Sequence, residues 1–163
     1  MTIIRPAVLS DHPAILDIWT PFYRETTVTF ASEEKTPETL VDYIDGRRAK
    51  GREFFVAEID GRVLGFASYD QFRGGDGYVH AMEHTIILAP EAAGRGAGRA
   101  LMAAVEDHAR RGGAHTMVAG VSGENAAGIA FHAALGYDHV GTLPQSGRKF
   151  GRWLDLVLMQ KIL

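Results

Sequence analysis

The stretch that most limits what this chain can become is HTIILAPEAAGRGAGRALMAAVEDHARR, residues 84–111. An apolar strand runs into a short turn, then into glycines alternating with arginines, then into an amphipathic helix. Gly94, Gly96 and Gly98 lack a Cβ, so the backbone there can take positive φ and a ligand can come close to it. The loop opens a helix whose first N–H groups have no intrahelical partner and carry partial positive charge. With Arg95 and Arg99 beside them, these are the components of a phosphate or pyrophosphate cradle. A glycine turn that only lets a helix pack closely on a strand would read the same way, and the loop by itself leaves both readings open.

The surroundings narrow the choice. The mononucleotide pattern needs Lys-Ser or Lys-Thr after its last glycine, whereas Arg99-Ala100 stands here. The dinucleotide fingerprint opens a run of βαβ units. Here the loop comes late, behind two β-rich runs, EFFVAEI and VLGFASYD, separated by Asp60-Gly61, a dipeptide that favours a tight hairpin. A third long strand, YVHAMEHTIIL, follows them, so the centre of the chain reads as an antiparallel meander. A nicotinamide-nucleotide domain does not have that order.

Upstream, TIIRPA predicts a short strand. Ser10 or Asp11 is placed to cap a first helix, with Pro13 in its first turn and Pro21 expected to kink or shorten its end. Thr36 begins a second helix; between the two, TTVTFASEEKT is a connector with a possible extended piece. Downstream, Leu101, Ala104, Val105 and His108 form one helical stripe that stops at Gly112-Gly113. HTMVAGV is a strand, Asn125 caps NAAGIAFHAAL, and two further strands joined by SGRKFG close the chain. The order β α α β β β α β α β β predicts one α/β (α+β) domain over residues 1–163. It has a mixed, mostly antiparallel sheet of about seven strands, with about four helices on both faces.

The length of 163 residues suits one core. A net charge of -3 argues against nucleic acid as partner, and the absence of cysteine excludes disulfides, thiolate metal sites and cysteine nucleophiles. No apolar run approaches the ~20 residues of a membrane span, and the start MTIIRPAVLSDH does not read as a signal peptide. A cytoplasmic protein without membrane contact is expected. The histidines show no metal-ligand spacing.

At this point the chain resembles the GNAT N-acetyltransferases, and within them the phosphinothricin and methionine sulfone/sulfoximine branch. The resemblance rests on TTVTF, VAEIDGRVLGFASYDQFR, MEHTIIL, GRGAGRAL, VAGVSGENAAGIAFHAALGY and GRKFGRWLDLVLMQ, in that order and nearly end to end. It implies acetyl-CoA as co-substrate, no metal, a small amino acid acceptor and a homodimer. It assigns Ile86, Ile87 and Leu88 to the strand edge beside the pantetheine arm. Gly94, Arg95, Gly96, Ala97, Gly98 and Arg99 take the diphosphate, and Asn125 reaches the cofactor. Ala93 departs from the family's loop, where a glutamine or arginine is usual.

Glu83 is the family's proposed general base, and alternation places it with Thr85 and Ile87, opposite Met82, His84 and Ile86. His132, where many relatives carry tyrosine, is the expected proton donor to the departing thiolate. Arg73 is the candidate for an acceptor carboxylate, Phe30 and Tyr78 for pocket walls, and Lys149 for a substrate-facing cation. Val79 stands where relatives often have arginine. His84 is open between a neighbour of Glu83 and a solvent-facing strand residue. The resemblance also admits a protein N-terminus or polyamine as acceptor, and a non-catalytic acetyl-CoA-binding module.

Overall fold

The computed structural model describes residues 1–163. Seven strands form a single sheet: β1 (Thr2–Pro6), β2 (Phe54–Ile59), β3 (Arg62–Gln71), β4 (Ala81–Leu88), β5 (Thr116–Ser122), β6 (Asp138–Lys149) and β7 (Arg152–Ile162). The spatial order is β1-β2-β3-β4-β5-β7-β6. Every neighbouring pair is antiparallel except β4–β5, which is parallel. Four helices, α1 (His12–Glu25), α2 (Pro37–Ala49), α3 (Ala97–Arg111) and α4 (Ala126–Ala134), complete the expected element order.

Local chemistry accounts for the turns and caps. Asp60 and Gly61 both have positive φ, 50° and 79°, which is what a two-residue hairpin between β2 and β3 requires. Thr36 caps α2, its side-chain oxygen accepting from the N–H of Thr39, and Asn125 caps α4 by accepting from Gly128. The start of α1 differs from expectation. The Asp11 carboxylate accepts from the Val8 N–H and from Arg5 instead of capping the helix. The helix also continues past Pro21 to Glu25. Proline inside a helix costs about 3 kcal/mol, and burial of Trp19 and Tyr23 on either side of it offsets that cost. The 26–36 connector forms bends with no strand, and the last hairpin turns at Phe150-Gly151, so that Ser146 to Lys149 belong to β6.

The sheet separates two apolar layers. On one face α3 packs over Ala57, Ala67, Met82, Met117 and Met159. On the other, Ile15, Trp19, Tyr23, Leu40 and Ile44 from α1 and α2 pack over Phe54, Val56, Phe66 and Ile87. Strand alternation divides β4 as expected: Met82 and Ile86 join the α3 layer, Ile87 the α1–α2 layer.

Candidate active site

The parallel pair defines the site. β4 and β5 are in register only from Ala81↔Thr116 to Glu83↔Val118, yet β4 continues to Leu88 and β5 to Ser122. From His84 and Ala119 onward the two strands part, leaving facing edges of unpaired backbone. α3 starts beyond the carboxyl end of β4, and α4 beyond that of β5, so the split opens between two helix N-termini. The carboxyl ends of parallel strands are where open α/β sheets bind their ligands.

The loop at the mouth of α3 has the properties of an anion cradle. Gly94 and Gly96 lie at φ 72° and 76°, and a Cβ on either would meet nothing within 4 Å. Gly98 is different: a Cβ there would touch the Phe131 ring at 3.0 Å and Leu88 at 3.1 Å. Its role is close packing of α3 on β4, so both open readings of the loop hold, at different glycines. The N–H groups of Gly94, Gly96, Ala97, Gly98 and Arg99 find no main-chain acceptor, whereas that of Ala93 bonds Pro90. These donors, the open strand edges and the free amide NH2 of Asn125 together fit a diphosphate with a pantetheine arm. Arg95 is placed otherwise than its position in the loop suggests. Its guanidinium donates to Asp60 at 2.6 Å, and Asp60 also holds the N-terminal ammonium at 2.7 Å. Those two cations lower the Asp60 carboxyl to about 2.

Glu83 stands at the last paired position of β4, where the split begins. Its Oε2 lies 3.0 Å from where a Cβ on Gly120 of β5 would be, so glycine at 120 makes room for the carboxylate. Burial alone raises its pKa; no cation offsets the loss of water. A half-buried carboxylate without an ion-pair partner, its pKa raised by loss of water, has the properties of a base.

His132 is on the opposite side of the sheet from Glu83. It is buried, its Nδ1 lies 2.7 Å from the Gly128 carbonyl, and its Nε2 lies 3.1 Å from Nε2 of His84. The two rings stack with centroids 5.0 Å apart. His84 is therefore neither solvent-facing nor a partner of Glu83. Burial, then His132, lowers its pKa to about 3; burial lowers that of His132, against the pull of the Gly128 carbonyl. The Tyr137 ring packs at steep angles, 72° and 85°, against the two imidazoles. Its hydroxyl donates to buried Glu106 at 3.0 Å, and Lys161 donates to the same carboxylate at 2.6 Å. This network was not read from the sequence. The available signal was His84 itself, a histidine on the apolar face of β4 shared with Met82 and Ile86, where a polar ring needs a partner.

The acceptor-side residues divide into two groups. Phe30 packs on β6, its ring filling the space that a Cβ on Gly147 would take. Lys149 is buried and donates to the carbonyls of Phe22 at 3.1 Å and Thr29 at 2.8 Å. It ties the end of α1 and the 26–36 connector to the last hairpin, and burial lowers its pKa. Arg73 and Tyr78 lie exposed on the loop before β4, the guanidinium 5.3 Å from the ring centroid, with Val79 beside them also exposed. A cavity of about 890 Å³ between α1, the β2–β3 turn and Ala89–Glu91 contains none of Glu83, Gly96 or His132. No group of three or more His, Asp or Glu residues could hold a metal ion, and no helix is long and apolar enough to cross a membrane.

A sheet split between parallel strands, with free main-chain N–H groups at one lip and an unpaired carboxylate at its vertex, suits an enzyme that takes an activated group from a phosphate-bearing carrier. The chain belongs to the Acetyltransferase (GNAT) family, whose model matches residues 13–137. It is an acetyl-CoA-dependent acetyltransferase. It is 37% identical over 157 residues to the L-methionine sulfoximine/L-methionine sulfone acetyltransferase of Salmonella typhimurium, covering 96% of this chain and 92% of that one. The solved ribosomal-protein-alanine N-acetyltransferase of Brucella melitensis superposes with TM-score 0.95 at 40% identity, over 99% of both chains. The phosphinothricin acetyltransferase of Sinorhizobium meliloti, solved with acetyl-CoA, gives TM-score 0.93 at 30% identity over 99% of this chain and 88% of that one.

Proposed function

We propose that this enzyme acetylates the α-amine of a small amino acid analogue such as methionine sulfoximine, methionine sulfone or phosphinothricin, by direct attack within a ternary complex. The observation that carries the reading is Glu83, an unpaired carboxylate whose pKa is raised by burial alone, at the vertex where β4 and β5 separate. Bound acetyl-CoA supplies the acetyl group as a reactive thioester. Gly94 and Gly96 to Arg99 hold its diphosphate with main-chain N–H groups, and the free edge of β4 from Ile86 to Leu88 aligns the arm. Glu83 takes one proton from the acceptor ammonium, because only the neutral amine is a nucleophile. A main-chain N–H near Ile87 donates to the oxygen on which charge develops. His132 belongs to the proton path to sulfur.

On the acceptor side, Arg73 offers two parallel N–H donors to an α-carboxylate, with Tyr78 and Phe30 as walls. Lys149 has one ammonium N–H beyond the two given to Phe22 and Thr29. The exposed side chains of Val140, Leu143, Phe150 and Trp153 on the last hairpin support a homodimer formed there, which light scattering on the purified protein checks.

The relative that acts on ribosomal-protein alanine favours a second reading, a protein N-terminus as acceptor. A CoA-release assay with methionine sulfoximine, methionine sulfone, phosphinothricin, ordinary amino acids and an alanine-initial peptide decides between them. Turnover confined to the free analogues supports the first reading. Turnover confined to the peptide replaces it with the second.

A further inference from the structure

Beyond Glu83↔Val118 the ladder that spaces β4 and β5 stops, and the width of the split depends on what packs across it. On the α3 face α4 does so, with Ile129, Phe131 and Leu135 against the apolar layer. It meets the β4–α3 side at two places. Toward the mouth, the Phe131 ring and Leu88 flank Gly98, where a Cβ would lie 3.0 Å and 3.1 Å from them. That contact is apolar and has no preferred direction. At the vertex, His132 meets His84, the first residue of β4 past the ladder, with 3.1 Å between their Nε2 atoms.

The hydrogens of that second contact follow from its surroundings. A carbonyl only accepts, so the 2.7 Å contact to Gly128 puts the hydrogen of neutral His132 on Nδ1. Its Nε2 is then an acceptor, and His84 supplies the hydrogen between the rings. Gly128 lies on α4, four residues before His132, so this bond makes the ring a rigid extension of its own helix. The Gly128 N–H in turn donates to the Asn125 side chain at 2.9 Å, and a Cβ at 128 would collide with that amide. One line of bonds thus joins β4 to the cap of α4. It runs from His84 to His132, from His132 to the Gly128 carbonyl, and from the Gly128 N–H to Asn125.

We infer that His84 is a positioning residue for acetyl-CoA, on the reading above that the arm lies along the free edge of β4. Through His132 it pins α4 to β4, and so sets the width of the split and the place of Asn125. No atom of the pin has to touch the ligand, so the pair acts from its buried position on the face away from Glu83. A hydrogen bond suits the task better than apolar packing, because it weakens steeply once donor and acceptor leave line. The imidazole also carries a cost, since its Nδ1 is buried without a partner in the chain. The bond to His132 accounts for a polar ring at this apolar position. Tyr137 packs against both rings, and its hydroxyl donates to Glu106 of α3, a second link between the same two sides of the split.

Calorimetry with acetyl-CoA, beside steady-state kinetics, tests the pin. His84→Leu removes the bond and leaves His132 in place for the proton path. The Kd for acetyl-CoA should rise about tenfold, the worth of one net hydrogen bond. Both kcat at saturating acetyl-CoA and the acceptor KM should stay within about threefold. In His84→Gln the side-chain amide donates from nearly the same point, and affinity should return to within about twofold of wild type. An H84L enzyme that binds as tightly as wild type overturns the pin, and so does a loss in H84L that H84Q does not repair. If Gly96→Ala weakens binding and H84L does not, the pin alone falls. If neither weakens it, the placement of the cofactor falls with the pin. Nitrogen-15 NMR of the wild-type protein is a test that needs no variant to fold. His132 protonated on Nδ1, with a coupling between the two Nε2 nuclei across the shared hydrogen, is the expected result; His132 protonated on Nε2 overturns the pin.

Discussion

Two carboxylates, Glu83 and Glu106, are both withdrawn from water, and they differ in every other respect. Glu106 is buried beneath α3 with the Lys161 ammonium at 2.6 Å and the Tyr137 hydroxyl at 3.0 Å. Its charge is compensated and hydrogen-bonded, as a buried charge must be. Glu83 has burial and no counter-charge, and its pKa rises for that reason alone. One carboxylate holds the layer behind the imidazoles in place; the other is the base we propose for the acceptor amine. Burial of an acidic group therefore does not by itself signal function. Burial without a partner, at the vertex of a cleft, does.

The contrast is open to direct attack, and the largest effect is expected at Glu83. Glu83→Gln should lower turnover by about 10²–10³-fold near neutral pH and leave acetyl-CoA affinity within about twofold; equal loss of binding and turnover would reject the base. In the wild-type enzyme kcat/KM should rise with pH through the raised pKa of Glu83 and then level, since only the ionised carboxylate accepts a proton. In E83Q that limb should vanish.

At Gly96 a substitution acts on the cradle. Gly96→Ala places a Cβ in the left-handed region, at about 1–2 kcal/mol, and in the space assigned to the diphosphate. A loss of acetyl-CoA affinity of about tenfold or more is expected by calorimetry, beside a lower Tm.

The two carboxylates should then separate on stability, measured by thermal melts. Glu106→Gln leaves Lys161 unpaired and should cost about 2 kcal/mol, below the range for fully buried pairs because Lys161 is partly exposed, or about 4–8 °C in Tm. E83Q should raise Tm at neutral pH, because the folded state prefers Glu83 protonated and loses stability as pH rises through its unfolded and then its folded pKa. The imidazoles run the other way. His84 and His132 are held neutral, so the stability they contribute is lost as pH falls from about 6.5, the unfolded value, toward the lowered pKa of His84 at about 3. Melts that move in the same direction for E83Q and E106Q would end the distinction between the two groups.

The smallest effect is expected at Asp60. Asp60→Asn frees Arg95 for the diphosphate and should tighten acetyl-CoA by up to about threefold at low salt, the gain fading as ionic strength rises.

Much of this was legible along the chain because it is set by neighbours in sequence. Asp60-Gly61 turns the hairpin through its own φ preferences. The glycines at 94 and 96 leave the α3 mouth open, and Asn125 caps α4 three residues away. The alternation that puts Glu83 and His84 on opposite faces of β4 is a property of any strand. The family resemblance extended this to the cofactor and the fold. What stayed hidden depends on partners far off in the chain. Pro21 reads as a helix terminator until the aromatic packing of Trp19 and Tyr23 is known. Arg95 reads as a phosphate ligand until the hairpin turn brings Asp60 within 2.6 Å. Lys149 reads as a free cation until the carbonyls of Phe22 and Thr29, more than a hundred residues earlier, occupy it.

The sequence by itself therefore determined the order of strands and helices, the open glycine turn and the choice of residues able to carry a proton. Only the tertiary structure decided which of those residues are already committed to other groups and which remain open. The physical reason is that backbone preferences act within a few residues, whereas the state of a charged or titratable side chain is set by burial and by whatever the fold places within hydrogen-bond reach. Glu83 and His84 show this in adjacent positions: sheet packing leaves the carboxylate unpaired and joins the imidazole to His132.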